Sequence, residues 1–92
     1  MDLLATITKV EFQPMTEIVD SELYLWADVP ALGGIFLLET EKGSIEWLSQ
    51  KFGLIIIGDR NWDVRPIEGK RCVVRQTSQA PMLGLRFLHY AK

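Results

Sequence analysis

The 92-residue chain contains a single cysteine, Cys72, and a single histidine, His89, and both scarcities exclude whole classes of protein. One cysteine cannot form an intramolecular disulfide, so the sequence is not designed for an oxidising compartment. One cysteine and one histidine also cannot supply the Cys/His ligand cage of a structural zinc site. We therefore expect no bound metal and no other cofactor.

Long apolar runs are also missing. The run at 54–57 is far shorter than the ~20 residues that cross a bilayer. The N-terminus has neither the basic start nor the apolar segment of a signal peptide. We therefore expect a cytoplasmic protein without membrane contact. The length predicts a single domain over residues 1–92, and 48% hydrophobic with 24% charged residues is typical of a folded one.

The sequence also lacks recognisable catalytic motifs. A nucleophilic serine or cysteine needs a base within hydrogen-bond reach, and His89 is the only histidine available. Cys72 alternates with Val74, which is typical of a small core residue. The sequence has no glycine-rich phosphate loop, calcium-binding loop or nucleophile elbow. We therefore predict that the chain is not an enzyme.

What the sequence does contain is a series of short segments rich in β-branched, aromatic and aliphatic residues. They predict five strands, at 5–12, 22–29, 35–39, 70–76 and 83–90. A turn is expected at 58–61 and a loop at 77–81. The third segment, 35–39, lacks polar alternation, which is typical of a strand buried on both faces. We therefore expect it near the centre of a sheet.

One short helix is predicted between the third and fourth strands. Ile45, Leu48 and Phe52 fall on one helical stripe. Ser44 is placed to cap the N-terminus and Gly53 to end the helix in a left-handed conformation. This helix therefore has both a core-facing side and two defined ends.

The order of elements predicts the fold class. We expect an α+β domain with a curled antiparallel sheet of about five strands and one short helix between strands 3 and 4. The same order occurs in the OB-fold, a five-stranded, partly open barrel. The run at 54–57 fits either a further strand or the apolar end of the helix, and the sequence leaves both readings open.

Charge is distributed unevenly along the chain. The net charge is −2, but residues 1–50 carry an excess of acidic side chains and residues 51–92 an excess of basic ones. Such asymmetry can mark a polarised binding surface. The alternative is that the two halves interleave in the fold and neutralise each other, for example through cross-strand pairs.

The last two predicted strands carry a candidate binding face, since antiparallel pairing would place Arg71, Arg75 and Arg86 on one face with Leu88 and Tyr90. Basic groups beside aromatic rings hold single-stranded nucleic acid, because cations contact phosphates while rings stack on bases. The net negative charge of the chain weighs against this interpretation. A tryptophan in the irregular stretch before these strands is a further candidate, since tryptophan is enriched at interface hot spots, although it could equally close the core. The candidate binding residues are Lys70, Arg71, Arg75, Arg86, Tyr90 and Trp62.

At Trp62 and at 67–74 the chain resembles a group of small proteins encoded by phages, prophages and plasmids. Shared features are a first strand like 5–10, a Gly-Gly pair before an apolar strand, and a short helix that ends in glycine. A tryptophan and an Ile-x-Gly-Lys segment that leads into a strand follow. The resemblance implies a mobile-element protein that acts by binding a host or phage component, and it implies no activity and no site.

Two functions follow from these observations. The first is a non-catalytic protein-binding module, such as a phage or mobile-element modulator of a host protein, which contacts a partner or a second copy of itself. The second is an OB-like protein that binds single-stranded nucleic acid. An exposed apolar patch larger than a few hundred Å² would favour the first. A basic groove with exposed rings would favour the second.

Overall fold

The computed structural model describes residues 1–15, 20–58, 61–77 and 84–92. These ranges form eight strands, one α-helix and a short 3-10 turn at Pro30–Leu32. The elements are β1 (Asp2–Gln13), β2 (Ser21–Val29), β3 (Gly34–Leu37), β4 (Glu41–Gly43), α1 (Ile45–Phe52), β5 (Ile55–Gly58), β6 (Asn61–Asp63), β7 (Arg71–Gln76) and β8 (Leu85–Tyr90).

Six of these strands form one antiparallel sheet in the order β3-β2-β1-β7-β8, with β4 also paired to β2. β3 pairs with the second half of β2 and β4 with the first half, so both occupy the same edge of the sheet. The expected antiparallel sheet with one short helix is therefore confirmed. The predicted third strand at 35–39 corresponds to β3 alone, whereas β4 at Glu41–Gly43 is a further strand that the sequence did not predict, and α1 follows it.

The prediction that segment 35–39 lies in the centre of the sheet is wrong. β3 is an edge strand whose only sheet neighbour among the described residues is β2. Ile35 is 60% exposed and Leu37 is 50% exposed. Consecutive apolar residues are typical both of a strand buried on two faces and of an edge strand with an apolar outer face, and only the neighbouring strands distinguish the two cases.

The sheet is curled, and its two edges approach each other without closing into a barrel. The backbone N–H of Glu39 donates to the carbonyl oxygen of Leu85 at 2.7 Å, across the gap between the β3 edge and β8. The hydroxyl of Thr77 also donates to the carboxylate of Glu39 at 3.1 Å. The concave face produced by this curl encloses the core.

The core consists of alternate side chains of the long strands, covered by α1. Every second residue of β2, from Ser21 to Val29, is buried. Leu48 and Phe52 of α1 are fully buried against this face, and the Phe52 and Phe87 ring centroids lie 4.9 Å apart. The predicted helical stripe therefore faces the sheet.

Both predicted ends of the helix are confirmed. The Ser44 hydroxyl accepts a hydrogen bond from the Trp47 N–H at 3.1 Å. Gly53 has a φ of +88°, and its N–H donates to the Ser49 carbonyl at 2.8 Å. A residue with a side chain is strained at this φ, which explains the glycine.

A β-bulge changes the expected faces of β8. Val73 lies opposite His89 and Val74 lies opposite Phe87, so Leu88 is an extra residue between the two pairs. Because a bulge shifts the alternation by one residue, Tyr90 lies opposite buried Cys72, on the core side. The expected grouping of Tyr90 with Arg86 on one face therefore does not form.

The run at 54–57, which the sequence left open, belongs largely to a strand. β5 and β6 form a separate two-stranded antiparallel sheet, which we call the β5–β6 hairpin. Trp62 lies in β6, where the sequence predicted irregular structure. The turn expected at 58–61, the loop expected at 77–81 and the start of the last predicted strand at Leu83 lie partly outside the described residues.

Candidate binding surfaces

Three of the predicted arginines lie together on the convex face of the main sheet, which we call the outer sheet face. Arg71 and Arg75 alternate with buried Cys72 and Val74, so their side chains point away from the core. Arg75 lies directly opposite Arg86 on β8. Like charges in this position repel each other, so this corner of the sheet favours an anionic neighbour.

One carboxylate partly neutralises the three arginines. The Arg75 Nε lies 2.8 Å from Oδ1 of Asp2, and a second contact at 3.2 Å joins Nη2 and Oδ2. The hydrogen bond from Arg75 holds the pKa of the Asp2 carboxyl below its usual value. Within the described parts of the chain, Arg71 and Arg86 form no ion pair. The acidic N-terminal and basic C-terminal halves therefore meet at β1 and β7, but they neutralise each other only in part.

An aromatic side chain lies on the same outer sheet face, two strands away. Trp26 of β2 is partly buried and is paired with Lys9 across the strands. The Lys9 Nζ lies 4.8 Å from the Trp26 ring centroid, within cation–π distance. The Lys9 ammonium also contacts the Glu11 carboxylate at 3.1 Å, so it interacts with both the Trp26 ring and an acidic side chain.

Two of the predicted residues lie elsewhere, near the C-terminal end of α1. The Tyr90 hydroxyl donates to the Phe52 carbonyl oxygen at 2.6 Å, and burial raises the pKa of Tyr90 to about 12. The Lys70 Nζ lies 4.5 Å from the Tyr90 ring centroid. Tyr90 therefore satisfies a free helix carbonyl, which is a structural role.

The last predicted residue, Trp62, lies in the β5–β6 hairpin. Its ring packs edge-to-face against Phe12, with centroids 5.3 Å apart. The six candidate residues thus occupy three locations: the outer sheet face, the end of α1 and the hairpin. Sequence spacing placed the three arginines of the outer sheet face, but it could not show that Trp62 lies beside the end of β1.

An apolar groove of about 610 Å³ separates the hairpin from the body of the domain. Asn61 provides the only polar side chain of its described lining. This volume and this apolar lining are within the range of ligand pockets in proteins. The groove is lined by Phe12, Pro14, Met15, Ile45, Ile56, Gly58, Asn61 and Trp62.

Beside this groove, β5 exposes three consecutive isoleucines. Ile55, Ile56 and Ile57 are 48%, 43% and 65% exposed. β5 pairs with β6 on one side, and within the described chain its other edge has no partner. Ile57 is bulged between the pairs Ile56–Trp62 and Gly58–Asn61, which accounts for its greater exposure. We call β5 together with the groove the hairpin surface.

The single cysteine, Cys72, and the single histidine, His89, form no reactive centre in the described chain. Burial raises the pKa of the Cys72 thiol to about 11, which suppresses the nucleophilic thiolate. His89 is exposed on the opposite side of the sheet from this thiol. Among the residues that the structure describes, no three His, Cys, Asp or Glu side chains are grouped as a metal site would require.

In the described ranges, no helix has the length and apolar character needed to cross a membrane. In comparisons with known proteins, no family model, no curated protein and no solved structure matches this chain.

Proposed function

We propose that the chain is a non-catalytic protein-binding module whose partner docks on the hairpin surface. The observation that carries this proposal is the row of three exposed isoleucines, Ile55 to Ile57, on an open strand edge beside an apolar groove. Because about half of each isoleucine is already shielded, removing its exposed part from water is favourable by roughly 0.7–1.5 kcal/mol. A partner that covers these side chains would be stabilised in the complex by this free energy of burial.

The strand edge itself supports a protein partner rather than a small molecule. An unpaired edge presents backbone N–H and C=O groups that an extended segment can pair with, and exposed edges are normally protected by charges or prolines. β5 contains neither a charge nor a proline. In strand addition, backbone hydrogen bonds provide affinity and side-chain pockets provide specificity. The hairpin surface offers both an edge and a pocket.

We also infer an OB-like arrangement of the main sheet. If β3 and β4 are taken as one interrupted strand, the sheet has five strand positions, and α1 lies between the third and the fourth in chain order. The contact from Glu39 to Leu85 brings the first and last positions together, as in a partly open barrel. The mobile-element origin and the cytoplasmic location remain predictions from the sequence.

A selection from a library of displayed random peptides tests the hairpin surface without knowledge of the natural partner. We expect the protein to enrich extended apolar peptides, and we expect Ile57→Lys to weaken their binding at least about tenfold, since a charge would have to be desolvated. Ile35→Lys is a matched control, because Ile35 is a similarly exposed isoleucine on β3. The selection uses the protein at nanomolar concentration, so that its surface is not occupied by a second copy. Failure to enrich any peptide under this condition, or equal weakening by both variants, would contradict the proposal.

A second candidate function is binding of single-stranded nucleic acid on the outer sheet face. Three arginines, of which two have no ion pair with a described residue, share this face with Trp26 and Lys9. In OB-folds the sheet face binds oligonucleotides, and rings provide stacking platforms. The acidic net charge of −2 limits the expected affinity, which is why we rank this function second.

Fluorescence anisotropy of labelled single-stranded DNA and RNA, titrated at low and near-physiological salt, tests this second function. We expect micromolar binding at low salt that weakens steeply as salt rises. Replacing Arg71, Arg75 and Arg86 by alanine should lower the salt slope by up to about 2, at ~0.7 for each phosphate that is no longer neutralised. Arg65→Ala is the control, because Arg65 pairs with Asp63 beside the hairpin. No binding at low salt would exclude this function.

A further inference from the structure

We propose that the partner at the hairpin surface is a second copy of this chain, with β5 of one copy paired antiparallel to β5 of the other. This inference rests on the proposed function and names its partner. The pairing would join the two hairpins into a four-stranded sheet in the order β6-β5-β5-β6.

The first reason is the incompleteness of the hairpin. Within the described ranges, β5 and β6 form a sheet of two strands, and four consecutive residues of β5 are exposed. Two-stranded hairpins are at best marginally stable in water, whereas three or more strands with an apolar face are stable. A second β5 would double the number of strands and place apolar side chains beside the exposed isoleucines. Pairing with the hairpin of a second copy would therefore stabilise each hairpin.

The second reason is charge. A two-fold symmetric interface brings each residue close to itself or to a symmetry-related neighbour, so a charge at its centre would face a like charge. No charged residue occurs between Phe52 and Gly58. The strand next to β5 carries one acidic side chain in register, Asp63 opposite Ile55, and Arg65 neutralises it through an ion pair at 2.8 Å. By contrast, Asp28 lies opposite Ile35 in the strand next to β3 and has no ion pair among the described residues. β5 is thus the strand edge best suited to self-pairing.

The third reason is side-chain complementarity. Antiparallel pairing of β5 with itself places isoleucines opposite isoleucines, and β-branched residues are favourable cross-strand neighbours. Ile56 also lines the groove beside Trp62 and Met15. An isoleucine from the second copy would therefore extend the same apolar lining. The interface and the groove become one continuous apolar surface.

The size of the surface sets the expected strength of the dimer. The exposed isoleucines and the mouth of the groove amount to roughly a few hundred Å², the size of a typical functional patch. Stable complexes bury about 800 Å² per partner, and smaller interfaces are usually transient. We therefore expect a reversible dimer with a dissociation constant in the micromolar range.

Sedimentation velocity over a concentration series tests the dimer. The monomer mass is 10.5 kDa, and we expect the average mass to approach twice this value as concentration rises through the micromolar range. Ile57→Lys should remain monomeric at concentrations at least about tenfold higher, and Ile55→Glu should do the same. Ile35→Lys should dimerise like the unmodified chain. Circular dichroism of each variant confirms that it is folded.

Disulfide trapping locates the contact. With Cys72 replaced by alanine, single cysteines at Ile55, Ile56 or Ile57 should give a covalent dimer on oxidation for at least one position. A cysteine at exposed Gln50 on α1 should not. A dimer trapped at a β5 position supports the pairing, because a disulfide requires Cβ atoms about 3.5–4.5 Å apart.

Three results would overturn the inference, and they separate it from the proposed function. A monomer at all concentrations that still binds selected peptides shows that the partner is a different protein, so the module stands and the self-pairing does not. A dimer abolished by Ile35→Lys but kept with Ile57→Lys places the interface on β3. A monomer that also enriches no peptide contradicts both proposals.

Discussion

Replacing Phe52 by alanine is expected to lower the free energy of unfolding by about 3–5 kcal/mol, the usual cost of truncating a buried aromatic residue. Phe52 is fully buried and ends α1, with its ring centroid 4.9 Å from that of Phe87. The Trp47 ring packs against it edge-to-face at 6.5 Å. Truncation would leave a cavity where the helix meets the sheet.

This loss of stability in Phe52→Ala is large, because single domains are only about 5–15 kcal/mol more stable than their unfolded chains. For a domain of this size we expect the midpoint of thermal unfolding to fall by about 4–8 °C per kcal/mol. Circular dichroism during heating and urea titration measures both quantities. Gln50→Ala on the exposed side of α1 is the control, with an expected change within about 0.5 kcal/mol. A decrease below about 1 kcal/mol for Phe52→Ala would show that α1 does not hold the core.

The Cys72 thiol is expected to react with a thiol-specific reagent at pH 8 at least about 100-fold more slowly in the native protein than in the unfolded chain. Burial raises its pKa from 9.0 to about 11, so the native thiolate is about 100-fold scarcer at this pH. The side chain is also fully buried, so the reagent must await local opening. Reaction rates with and without denaturant measure the ratio.

The matched control for this labelling is the Cys72→Ala chain with a cysteine at Gln50. Its thiol is exposed on α1 and should react at nearly the same rate in both states. Equal reaction rates of the Cys72 thiol in the native and unfolded states would contradict the burial of this side chain on β7, the strand between β1 and β8. The same variant background serves the trapping experiment on β5, since it removes the only natural thiol.

The raised pKa of the thiol also predicts the direction of the alkaline response. Its pKa is higher in the folded state, so between about pH 9 and 11 the unfolded chain releases the proton and the folded chain keeps it. Folding stability from this group is therefore full below about pH 9 and declines as the pH rises toward 11. Tyr90, with its pKa raised to about 12, adds a decline in the same direction at still higher pH. Cys72→Ala should show a shallower decline over pH 9–11, measured by urea titration at each pH.

In the candidate surfaces, sequence alternation predicts the orientation of some side chains and not of others. Alternation in β7 correctly predicted that Cys72 and Val74 are buried and the arginines beside them exposed, because the two-residue period is a property of any half-buried strand. It could not predict the bulge at Leu88, which depends on how β8 pairs with β7. That single extra residue moves Tyr90 from the outer sheet face to the core side, where its hydroxyl binds the helix.

By itself, the sequence determined the features that depend on near neighbours in the chain. Sequence periodicity located most of β1 and β8, and it located β2 and β7 to within one residue at their first position. The stripe of α1 and both of its caps follow from periodicity, side-chain hydrogen bonding and the backbone freedom of Gly53. Only the tertiary structure decided what depends on which strands become neighbours. The apolar runs at 35–39 and 54–57 look alike in sequence, yet one follows the edge of the main sheet and the other belongs to a separate hairpin, whose outer edge has no partner among the residues that the structure describes. Burial of an apolar residue is set by the layers packed above and below it, and those layers come from distant parts of the chain.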